Sequence, residues 1–163
     1  MNAAHLHLLV NHLPLFGILF GLPLLAFGWW RGRDGLVRLA LVFFVVAGLG
    51  ATAAYFSGEE AEEIVEHLAG VSHDAIEAHE DAAYYAFLSA IVLGVLSLGG
   101  LLAFRQDFPR WAAGVLAVLA LGVFVLMARA NNLGGQIRHP EIRDEPTAAS
   151  PPPASDDEHG EEH

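Results

Sequence analysis

Histidine is the residue type in this chain best suited to chemistry, and its nine copies are unevenly placed. They stand at His5, His7, His12, His67, His73, His79, His139, His159 and His163. Neutral imidazole is the commonest metal ligand, and its charge changes near neutral pH. The chain has no cysteine, which excludes an iron–sulfur cluster, a thioether-attached haem, a disulfide and a zinc-thiolate site. Metal chemistry must therefore use histidine, carboxylate or a non-covalently held cofactor. Ser57 and Ser72 lie among acids and histidines, but no nucleophile elbow or comparable motif surrounds them, which argues against a hydrolase.

The elements that must position these side chains are apolar. Of the 163 residues 54 % are hydrophobic and 17 % charged, and the mean hydropathy of +0.43 is too high for an ordinary soluble domain. Four stretches lack Asp, Glu, Lys and Arg: Leu13–Trp30, Leu39–Phe56, Ala82–Phe104 and Trp111–Ala128. Each reaches the roughly 18–20 residues that a helix needs to cross about 30 Å of hydrocarbon. Barrel strands would alternate apolar and polar residues, whereas these runs are continuous, so they predict an all-α protein with a four-helix transmembrane bundle. Residues 1–143 form that membrane domain. Residues 144–163, rich in proline and acid, predict a disordered tail.

Charge sets the expected orientation. The first connection carries Arg31, Arg33 and Arg38 against Asp34, and the third carries Arg105 and Arg110 against Asp107, so both read as cytoplasmic. The second, from Gly58 to Asp81, holds nine acids and no Lys or Arg, which places it outside with both termini. Arg129, Arg138 and Arg143 give the opposite signal for the C-terminal segment, but an even number of spans returns it to the side of Met1. The expected location is a bacterial-type inner (plasma) membrane, with the lipid bilayer as first partner. No basic n-region precedes the first span and no A-x-A-like site follows it, so it is read as a helix and not as a cleaved signal peptide. A formal net charge of −11, with eight Arg and no Lys, argues against nucleic acid as a partner.

On this topology every histidine falls on the outer side. His12 precedes the first apolar span by one residue and His79 precedes the third by three, so the two reach the membrane at matched depth. His5 shares a helical face with His12 if the helix extends that far. Two histidines from different spans at one depth can hold a b-type haem by both axial positions, and small residues give the macrocycle room. The spacing His79, Ala83, Ala86, Ala90, Gly94, Ser97 supplies a small-residue face, as do Gly17-x-x-x-Gly21 and Ala47, Ala51, Ala54, Gly58. Pro23 interrupts the hydrogen bonding of the first span and predicts a bend.

A non-haem site for Zn, Fe or Cu is the second reading. The outer loop offers Glu63-x-x-x-His67 and His73-x-x-x-Glu77, each on one face of a helix, with Glu80 and His139 nearby. Ile64, Val65 and Leu68 among these acids predict an acidic surface helix in the loop. The third reading is a cofactor-free structural subunit, whose small-residue faces serve a membrane redox partner or a homo-oligomer. None of the three readings requires the chain to be an enzyme on its own.

Residues 5–142 also resemble an uncharacterised prokaryotic family of four-span membrane proteins. The likeness rests on His5-Leu-His7-Leu-Leu-Val-Asn-His12-Leu-Pro14-Leu-Phe16, the acidic loop after Ser57-Gly58, a histidine at the start of the third helix, and Leu133-Gly134-Gly135-Gln-Ile-Arg138-His139-Pro140. The family pattern opens with an H-P-x-x-V-H-F-P-like run and closes with G-G-x-x-x-x-H. Here Leu6 follows His5 where the pattern has proline, and Asn11 precedes His12. Position by position the resemblance points to His5 or His7, His12, His79 and His139. It also implies a distant likeness to small haem-bearing membrane cytochromes, which ranks haem b above another metal.

Overall fold

A computed structural model describes residues 3–65 and 73–138, and within them all side chains except those of residues 3, 4, 6, 60–65, 73 and 138. The described residues form five helices: α1 (Ala3–Val10), α2 (Leu13–Arg31), α3 (Asp34–Val65), α4 (His73–Ala103) and α5 (Arg110–Arg138). Four stretches are long and apolar enough to cross a membrane, of 25, 26, 30 and 28 residues. At about 1.5 Å per residue they measure roughly 38–45 Å, more than the hydrocarbon thickness.

The helices pack in a ring, α2 on α3, α3 on α4, α4 on α5 and α5 back on α2, with α1 against α3. Where hydrocarbon surrounds a bundle, helices gain little from burying apolar surface and rely on close approach. Ile18, Leu41, Phe44 and Leu93 fill the middle. Around them small residues let the backbones meet: a Cβ on Gly21 would lie 2.5 Å from the Phe44 ring, and one on Gly48 would lie 3.1 Å from the Ala90 carbonyl. The small-residue faces read from the sequence point inward, with Ala47, Ala51, Ala86, Ala90 and Ser97 all buried. Large apolar side chains such as Val95, Leu102, Val118 and Val125 cover the outside, the pattern of a lipid-facing surface. Exposed Trp30 and Trp111 mark one end of this surface, and exposed Tyr84 and Tyr85 the other.

The first span loses part of its helical hydrogen bonding near its start, although His12 keeps helical angles (φ −86°, ψ −18°) and the Asn11 N–H still reaches the His7 carbonyl at 2.9 Å. Pro14 has no N–H to donate to the Val10 carbonyl, and the chain turns at Asn11–His12 between α1 and α2. Pro23, by contrast, lies inside one continuous α2. That helix ends at Gly32, whose φ of 61° suits glycine, while the Arg33 N–H reaches the Gly28 carbonyl at 2.8 Å. The acidic segment is helical on both flanks of residues 66–72, as extensions of α3 and α4 that carry these helices beyond the apolar spans.

The end bearing the arginines is closed by side chains on backbone. Arg38 donates to the carbonyls of Phe104 at 2.5 Å and Gln106 at 3.1 Å, and a carboxylate oxygen of Asp34 accepts the Phe108 N–H at 3.0 Å. Two residues at the start of α3 thus hold the α4–α5 connection.

Candidate functional site

At the opposite end the bundle opens around a cavity of about 640 Å³ reached by all five helices. Its walls are largely apolar, with Leu15, Ala51, Ala86, Phe87 and Met127 among them. His7, His12 and His79 all line it. The polar groups that join them are Asn11, Glu59, Glu80 and Asn131. Tyr55 and Phe87, stacked at 4.5 Å and 16° between planes, form the wall between α3 and α4.

Two of the three imidazoles are held in the same way. His7 Nδ1 lies 2.9 Å from the Ala54 carbonyl of α3, and His79 Nδ1 lies 2.9 Å from the Ala130 carbonyl of α5. A carbonyl oxygen only accepts, so in each ring Nδ1 carries a proton, and in the neutral imidazole Nε2 is then the nitrogen with the lone pair. Both rings also cross a glycine four residues beyond the acceptor. A Cβ on Gly58 would lie 3.2 Å from His7 Cε1, and one on Gly134 would lie 3.0 Å from His79 Cε1. Ala54-x-x-x-Gly58 and Ala130-x-x-x-Gly134 are thus two copies of one ledge, each accepting an imidazole from another helix. The Ser57 hydroxyl, 3.4 Å from His7 Nδ1, donates to the Ala53 carbonyl at 2.7 Å.

His12 lies at the rim of the cavity, exposed, with Nδ1 against the side-chain oxygen of Asn11 and its ring near Phe16. The histidines expected at matched depth, His12 and His79, therefore do share a cavity, and His7 joins them in a more enclosed position. His5 is exposed on α1. Asn11 and His12 lie between α1 and α2, with His12 itself at helical angles and the Asn11 N–H on the His7 carbonyl at 2.9 Å. Glu80 is exposed and lines the cavity, and Glu77 is exposed on α4. Glu63 lies in α3 and His73 begins α4, but their side chains are outside the described set, and His67 and His139 lie outside the described residues. Among the described residues, no three His, Asp or Glu side chains come together as a metal-ion cage.

Reading the sequence alone missed Ala54, Gly58, Ala130 and Gly134 as the partners of the imidazoles. Their signal was present as two Ala-x-x-x-Gly spacings in the halves of α3 and α5 that reach the cavity, although a spacing does not tell which ring will lie on it. Comparison with family models, curated proteins and solved structures found no match for the chain.

Proposed function

We propose that this is an integral membrane protein that binds haem b between His7 and His79 and transfers single electrons at the outer face of a bacterial-type inner membrane. The observation that carries this reading is the shared arrangement of the two imidazoles, each fixed through Nδ1 on a helix carbonyl so that Nε2 is left to bind. Metal-ligating histidines are commonly oriented in this way, with the second ring nitrogen donating to a carbonyl or carboxylate. The size and lining of the cavity also support it. About 640 Å³ falls within the roughly 300–1,000 Å³ of small-molecule and cofactor sites, and the walls are mainly apolar as such sites require.

Haem, when bound, supplies an iron that gains and loses one electron. The residues of the chain do the rest. Ala54 and Ala130 fix the tautomers, Gly58 and Gly134 give the rings clearance, and the apolar walls offer a macrocycle a non-polar surface. His7 and His79 would together hold the group, and a pair of imidazole ligands favours electron transfer over substrate chemistry. The non-haem alternative lacks a gathered set of three ligands among the described residues.

Purified protein should show a Soret band, with sharp visible bands on reduction as expected for bis-histidine ligation. His79→Ala should abolish the pigment and His159→Ala should leave it intact. A colourless wild-type protein that also fails to take up added haemin would rule the reading out.

A further inference from the structure

All three tryptophans of the chain stand at the arginine end, Trp29 and Trp30 in the last turn of α2 and Trp111 in the first turn of α5. The two helix ends adjoin, since a Cβ on Gly114, one turn into α5, would lie 4.0 Å from the Trp29 ring. Trp30 and Trp111 are 69 % and 70 % exposed, and tryptophan at the end of an apolar span marks the level of the lipid headgroups. The two connections at this end carry Arg31, Arg33, Arg38, Arg105 and Arg110 against only Asp34 and Asp107. Arg38 is committed to the Phe104 and Gln106 carbonyls and Asp34 to the Phe108 N–H, so both serve the fold. Arg31, Arg33 and Arg110 are exposed, and among the described residues no arginine of this end forms an ion pair with a carboxylate.

Arg31 is held in place without using its donors. Its guanidinium carbon lies over the Phe27 ring, 5.8 Å from the centroid, and over the Trp30 ring at 5.6 Å. These two rings meet edge to face at 6.2 Å. Both are exposed on the apolar outer surface, so the charge sits beside lipid-facing side chains. Contact with ring faces leaves the N–H groups along the guanidinium edge free, and that fork fits two oxygens of a phosphate.

We propose that the arginine end binds an anionic phospholipid, with Arg31 on the phosphate, Arg33 and Arg110 adding positive field, and the acyl chains lying along Trp30 and Trp111. The occupant follows from charge and setting together. The exposed aromatic and aliphatic surface suits acyl chains, which a soluble anion does not bring. Three arginines without carboxylate partners attract a headgroup of net negative charge, whereas they repel the choline cation of a zwitterionic lipid. The inference concerns the end opposite the histidine cavity and does not rest on the haem reading.

Because every tryptophan lies at this end, tryptophan fluorescence reports on it alone. The test uses the full chain in bilayers that mix phosphatidylglycerol with phosphatidylcholine, one of the two brominated on its acyl chains so that it quenches the indoles it touches. Phosphatidylglycerol should be preferred at the tryptophans by about fivefold for each arginine that faces the headgroup. Arg31→Gln should reduce that preference about fivefold, and Arg31→Lys, which keeps the charge and loses the fork, should fall between the two. The wild-type preference should also shrink in 1 M salt, where screening acts over about 3 Å. Equal quenching by the two lipids in the wild type, or an unchanged preference in Arg31→Gln, overturns the proposal. A wild-type preference that salt leaves unchanged overturns it even where Arg31→Gln fails to fold. A preference erased by inorganic phosphate at constant ionic strength overturns it too, since the ligand would then be the free anion and not the lipid.

Discussion

Both ends of the bundle tie helices together by side chains on backbone carbonyls, yet the bonds serve opposite purposes. At the arginine end, Arg38 reaches Phe104 and Gln106, whose carbonyls lie just beyond the last residue of α4. Such groups have no partner within the helix, and a charged donor from α3 supplies one. At the histidine end, the acceptors Ala54 and Ala130 sit inside α3 and α5, where the helical ladder already uses them. There the backbone gains little and the imidazole gains a fixed tautomer and orientation. One end bonds carbonyls that the helix leaves unpaired; the other bonds carbonyls that the helices already use. That difference teaches where to look for function: a hydrogen bond to an acceptor already satisfied serves its donor.

The sharpest way to break this comparison is to crowd a ledge. Gly134→Val would drive a branched side chain against the His79 ring, since even a Cβ there lies 3.0 Å from Cε1. The ring must leave the Ala130 carbonyl, and the pigment should be lost or turn high-spin, with destabilisation of about 1–3 kcal/mol from overpacking. Gly122→Ala is the control, because a Cβ at Gly122 meets nothing within 4 Å. If Gly134→Val kept an unaltered absorption spectrum, the ledge would have no bearing on the site.

A smaller effect is expected from the other end. Arg38→Ala leaves two loop carbonyls without their charged donor, and the cost should be about 1.5–3 kcal/mol. Thermal unfolding in detergent should shift down accordingly while the visible spectrum stays the same. A spectral change would mean that the two ends are coupled through the bundle and that the division of labour drawn above is wrong.

Much of this architecture was legible in the sequence, because the absence of charge is a strong signal in a membrane segment. Leu13–Trp30 matches α2 to within one residue, and Leu39–Phe56 is the apolar centre of α3. The helices α3, α4 and α5 run further than the apolar runs because charged residues end an apolar run without ending a helical ladder. The site was legible only in part. His12 and His79 do line one cavity, but it is His7, and not the exposed His5 or His12, that lies more enclosed in it. His7 then turns toward α3, and its partners lie 47 and more residues away in the chain, a distance that no local pattern spans.

The smallest expected effect lies between the ends, at Ser97. Its side chain is fully buried on α4, and among the described residues its hydroxyl has no hydrogen-bond partner. A buried hydroxyl without a partner costs free energy, whereas a methyl group at the same place adds no such cost. Ser97→Ala should therefore leave stability unchanged or raise it by up to about 1 kcal/mol, read as the midpoint of unfolding in a denaturing detergent. The spectrum should not move, because Ser97 lies below the cavity on the inward face that His79 begins. If Ser97→Ala lowered stability or altered the pigment, the hydroxyl would have a partner in the folded protein, and the middle of the bundle would not be the inert spacer between two specialised ends that the packing describes.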